Sequence, residues 1–89
     1  MDCYYKKTFL KDLTSIPEIY QKRIERLVFK EIPKSENVNY IKNMKKMRSY
    51  NNYYRIRVGS YRIGCEIKAK ATIIFYRVKS RKDIYKLFP

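Results

Sequence analysis

Eighty-nine residues carry 22 Lys and Arg against eight Asp and Glu, for a formal charge of +14, and none of them is histidine. A chain of this length builds one domain, 1–89, whose thin core hides only about 60–65% of the surface its unfolded form exposes, so a separate cofactor domain is excluded. An apolar content of 45%, with two glycines and three prolines, argues for a folded unit and against a disordered tail.

Taken in chain order, CYYKKTF reads as a first strand, because aromatic residues favour a half-buried pleated surface. Phe9, Leu10, Leu13 and Ile16 then recur at helical spacing in a short amphipathic segment. Ser15 followed by Glu18 has the form of a capping box with Pro17 in the first turn, which predicts a second helix from there. Ile16, Tyr20, Ile24, Leu27 and Val28 line one face of that helix, Lys22, Arg23, Glu25 and Arg26 face water, and Pro33 marks its end. Residues 34–52 carry the weakest signal, a short helix or an irregular approach around Val38, Ile41 and Met44.

The remaining residues read as β-sheet. YYRIRV and YRIGCEI alternate on either side of Gly59-Ser60, a two-residue hairpin signal, and ATIIFYRV reads as a more buried third strand. The expected fold is α+β, two helices packed on a twisted antiparallel sheet in the order β-α-α-β-β-β. The hairpin register pairs Tyr54, Ile56 and Val58 with Cys65, Ile63 and Tyr61 on the helix-facing side. The other side sets Arg57 against Arg62, Arg55 against Gly64, and Tyr53 against Glu66. Like charges directly opposed destabilise a strand pair by roughly 0.2–1 kcal/mol, so this arrangement calls for a reason.

Charge distribution supplies one. Residues 1–41 hold eight Lys and Arg against six acids, and residues 42–89 hold fourteen against two. A one-sided basic field on a small domain points to a polyanion, nucleic acid before an acidic protein or a membrane surface. Cys3 and Cys65 are isolated, which fits a reduced cytoplasmic protein, and without histidine zinc binding and imidazole chemistry are not expected. The longest uncharged apolar run, ATIIFY, is too short to span a bilayer.

FLKDLTSIP and QKRI in the helices, MKKM before the sheet, YYRIRVGSYRIGCEI and VKSRKDIY together resemble the RelE/ParE superfamily of toxins from toxin–antitoxin pairs, over essentially the whole chain. The resemblance implies a microbial RNase-like fold without cofactor or metal, a cognate acidic RelB-like antitoxin, and, in the RelE branch, ribosome-dependent cleavage of mRNA in the A site. The family's basic pair falls on Arg55 and Arg57, its next arginine on Arg62, its later arginine on Arg81 and its late tyrosine on Tyr85. Two positions depart from the pattern: the basic pair, often lysine, is arginine here, and Ser80 stands where many relatives carry histidine.

In such chemistry the ribose 2′-OH attacks the neighbouring phosphorus and leaves a 2′,3′-cyclic phosphate and a 5′-OH, which requires a base, charge stabilisation and a proton for the leaving oxygen. Tyr85 is the candidate base, since surrounding guanidinium charge favours a phenolate. Arg62 and Arg81 are candidates to grip the scissile phosphate, and Arg55 and Arg57 to position the backbone. Lys45, Lys46, Arg77, Lys79 and Lys82 are candidate contacts to RNA phosphates. Two alternatives share the fold: a ParE-like DNA gyrase inhibitor without nuclease chemistry, and a degenerate toxin that only binds.

Overall fold

The structure, a computed structural model, describes residues 1–48, 50–69 and 71–89. In chain order it contains β1 (Asp2–Tyr5), α1 (Lys7–Leu13), α2 (Glu18–Arg26), a π-helical turn (Leu27–Glu31), α3 (Ile32–Lys34), a 3-10 turn (Val38–Tyr40), β2 (Met44–Lys46), β3 (Tyr53–Val58), β4 (Tyr61–Lys68), β5 (Thr72–Ser80) and α4 (Ile84–Leu87). The strands form one sheet in the order β1-β5-β4-β3-β2.

The β3-β4-β5 meander is antiparallel with the expected hairpin register, including Arg57 opposite Arg62. Gly59 takes a φ of 58°, the left-handed value a two-residue II′ turn needs at its first position. The sheet departs from the sequence reading at both edges. β1 joins β5 in parallel, Asp2 opposite Thr72 through Tyr5 opposite Phe75. β2 is a three-residue strand antiparallel to β3, in the segment of weakest signal, and is too short for an alternation to register.

The helical part also differs in detail. The Ser15 hydroxyl turns back to the Lys11 carbonyl (3.4 Å), so the capping box does not form, and Pro17 occupies the N-cap of α2 without a side-chain hydrogen bond. Residues 18–34 run on as one rod in which Ile32 N–H reaches the Leu27 carbonyl. In a regular α-helix the ring of Pro33 would meet the Phe29 carbonyl, and the widened π turn ahead of it accommodates the proline.

The rod and α1 cover one face of the sheet. Phe9, Leu13, Ile24 and Val28 from the helices meet Ile56, Ile63, Ile73, Phe75 and Val78 from the strands, all at most 3% exposed. Alternation therefore assigns the core to this face and leaves the other to Arg55, Arg57 and Arg62.

Because β1 ends at Tyr5, the second half of β5 has no strand beside it. α1 takes that place: the Thr8 hydroxyl donates to the Tyr76 carbonyl (3.0 Å), and one turn later the Asp12 carboxylate accepts the Val78 N–H (3.2 Å). Asp12, 6% exposed, is the one buried charged residue among those described. It also accepts from Arg77 Nε (2.7 Å) and Nη2 (3.1 Å) and lies 3.3 Å from Lys79 Nζ. A helix residue thus satisfies an edge that would otherwise present open backbone groups.

Candidate active site on the basic face

β3 and β4 carry the central arginines. The Arg57 N–H bonds outward to the Asn43 carbonyl (3.0 Å), so Arg57 and Arg62 form a non-hydrogen-bonded pair, the kind whose side chains stand closest. Backbone and side-chain oxygens separate the two charges. Arg62 Nη1 donates to the carbonyls of Gly59 (2.9 Å) and Tyr61 (3.0 Å), while Arg57 Nη2 leans to Asn43 Oδ1 (3.4 Å). Burial, followed by repulsion from Arg81, Arg57 and Arg55, lowers the pKa of Arg62 below the usual arginine value, although a guanidinium so placed stays charged at neutral pH.

α4 brings the tyrosine. It crosses the basic face, and the guanidinium carbon of Arg55 lies 4.4 Å from the centre of the Tyr85 ring, well within cation–π range. Tyr85 is 65% exposed, so its hydroxyl is open to an incoming group. Arg55, Arg57, Arg62 and Tyr85, with Asn43, Met44 and Lys45, line an open cleft of about 420 Å³. Among the described residues no acidic residue lines it and none of its cations is paired with a carboxylate. Arg81 does not line the cleft. Its backbone N–H is tied to the Ser60 carbonyl in the hairpin turn (2.9 Å), and after burial its charge is the largest influence lowering the Arg62 pKa.

The other basic candidates divide. Lys45 stands opposite Arg55 and reaches the cleft, whereas Lys46, opposite Tyr54, is on the far face. Arg77 and Lys79 are committed to Asp12, and Lys82 is exposed in the turn after β5. A larger cleft of about 790 Å³ opens between residues 18–34 and the 38–43 turn, but of the predicted residues it reaches only Arg57. The smaller cleft is the candidate chemical site, because it gathers three arginines and a hydroxyl. Among the described residues no three His, Cys, Asp or Glu side chains converge as a metal site would require.

A family model described as ParE toxin of type II toxin-antitoxin system, parDE, matches residues 4–85. Toxin RelE3 of Methanocaldococcus jannaschii is 49% identical over 90 residues, covering all of both chains. The chain belongs to the RelE/ParE superfamily of type II toxins. A solved RelB–RelE antitoxin–toxin complex from Methanococcus jannaschii matches this family member with a TM-score of 0.80 at 48% identity, covering 97% of this chain and 99% of that one. The RelBE2 toxin–antitoxin complex of Mycobacterium tuberculosis, at 20% identity, shares the fold with a TM-score of 0.71 over 90% of this chain and 96% of its own.

Sequence reading missed two contributors. Asp12 looks like any solvated helical acid, and only its i, i+4 relation to Thr8 hints at a shared face. Phe88 gives no signal of its partner, Gly64, because the two meet only once α4 folds over the sheet. No helix among the described residues is long and apolar enough to cross a membrane.

Proposed function

We propose that this toxin is a ribosome-dependent endoribonuclease that cleaves mRNA by attack of a ribose 2′-OH on the adjacent phosphorus. The observation that carries the reading is the gathering of Arg55, Arg57, Arg62 and Tyr85 around one cleft without a neutralising acid. Phosphate enters between the hairpin arginines, where Arg62 and, from the turn beyond, Arg81 hold the charge that develops as the attack proceeds. Tyr85 acts as the base that takes the 2′-OH proton; the new P–O2′ bond forms, the P–O5′ bond breaks, and a 2′,3′-cyclic phosphate and a 5′-OH result. Arginine gives up a proton poorly, so the leaving oxygen takes its proton from water or from a ribosomal group. The positive charge is supplied by side chains, and the proposed step uses no metal.

The ribosome and its mRNA are the proposed substrate, and an acidic antitoxin of RelB type is the proposed partner, supported by the +14 charge and by the RelB bound to the relative of known structure. The description of the matching family keeps a second reading in view, a gyrase inhibitor. An in vitro translation reaction read by primer extension, beside a gyrase assay on supercoiled DNA, separates the two. Codon-periodic cleavage that Tyr85→Phe abolishes supports the nuclease. Intact mRNA with inhibited gyrase refutes it.

A further inference from the structure

Gly64 sits in the middle of β4, opposite Arg55 on one side and Arg77 on the other, at the point where Tyr76 is left over as a bulge. Its φ lies outside the left-handed range, so the backbone does not demand glycine there. Space does: a Cβ built on Gly64 would lie 2.5 Å from Cγ and Cδ2 of Phe88, which no real contact tolerates. Phe88 is 3% exposed and fills this notch from the basic side, apart from the main core. Tyr53 stands edge-on to it (5.4 Å, 89°) and Tyr76 is tilted against it (5.7 Å), while its N–H closes on the Ile84 carbonyl (2.9 Å).

Ile84 is fully buried, so α4 is fastened at both ends of its single turn. Tyr85 lies between the two fastenings, and the Arg55 that stacks on it pairs with Gly64 itself. We infer that the Phe88 ring seated in the Gly64 notch is the positioning device for Tyr85, fixing its hydroxyl against the arginine cluster. Phe88 and Gly64 are positioning residues; neither touches the reacting atoms. The inference rests on the nuclease reading for its effect on rate, but not for its effect on geometry. Displacement of a reacting group by about 1 Å is enough to slow a positioned reaction by about 100-fold.

The experiment uses the full chain with carbon-13-labelled tyrosine, the Tyr85 ring signal being assigned by its loss in Tyr85→Phe. Gly64→Ala is expected to shift that signal and to lower the single-turnover cleavage rate on saturating programmed ribosomes by about 100-fold, with half-saturation unchanged. Phe88→Ala, which empties the notch without adding a methyl group to β4, is expected to do the same in part. The double variant, in which alanine at 88 removes the Cγ and Cδ atoms and makes room for the new Cβ, is expected to return the signal towards wild type and to recover at least tenfold of the rate lost in Gly64→Ala. A folded Gly64→Ala protein with wild-type signal and rate overturns the inference, as does a double variant no better than Gly64→Ala. If the wild-type protein cleaves nothing, the nuclease reading fails, and the ring signal alone decides whether the notch holds Tyr85.

Discussion

Removing the Asp12 carboxylate, as in Asp12→Ala, withdraws an acceptor from four nitrogens of three residues at once. The largest loss comes from the Val78 N–H, which lies on a fully buried residue at a strand edge. An orphaned buried donor costs about 1–3 kcal/mol. Arg77 and Lys79 keep 24% and 30% of their side-chain surface exposed. They can turn to solvent, so their share is discounted from the several kcal/mol of a fully buried broken pair to about 1 kcal/mol. The sum is about 3 kcal/mol, which for a domain of this size lowers Tm by roughly 15 °C. Asp12→Asn keeps an oxygen for Val78 and is expected to lose only about half as much. Urea and thermal unfolding of both variants measure the difference. A loss below about 1 kcal/mol in Asp12→Ala, or equal losses in the two variants, refutes the view that this carboxylate serves as a substitute strand.

Arg62→Ala and Arg81→Ala are each expected to remove about 2–4 kcal/mol of transition-state stabilisation, seen as slower single-turnover cleavage on programmed ribosomes; wild-type rates in both would defeat their assignment. Gly59→Ala must force a φ of 58° on a residue with a Cβ and set that atom 2.6 Å from Tyr20 Cε1, pushing Tyr20 off its 4.8 Å contact with Tyr61. About 2 kcal/mol of stability is expected to go, and the urea midpoint reads it. Stability should also fall in alkali. Donation to Glu66, then burial, raises Tyr76 to about 12, and burial above all raises Tyr5 to about 12. Unfolded tyrosine ionises near 10, so between about pH 10 and 12 the unfolded chain binds fewer protons than the folded one and stability drops, having been constant with respect to these groups below pH 10. Tyr76→Phe should flatten that slope, as unfolding curves across this range will test.

The hairpin was legible because its period-2 pattern, its turn residues and its register agree, and register alone put Arg57 opposite Arg62. The late arginine and tyrosine came from resemblance, since nothing in RKDIY says that α4 crosses the sheet. What stayed hidden depends on contacts between distant residues. The parallel partner of β1 lies about seventy positions away, the capping box yielded to Pro17, and the charges of Arg77 and Lys79 are absorbed by an acid sixty-five or more positions earlier. Sequence counts those two as part of the basic field, whereas the fold spends them on its own edge.

The pairing of β1 with β5 also sets an order of events during synthesis. Residues 2–5 cannot find their strand until residues 72–75 have been made, and the cleft draws every residue it needs from position 43 onward. Such long-range closure makes folding slow compared with helix formation. A growing chain therefore carries its helices early and its arginine cluster late. During that interval the half already made is nearly neutral, and the half that could engage a polyanion has no assembled face with which to do so.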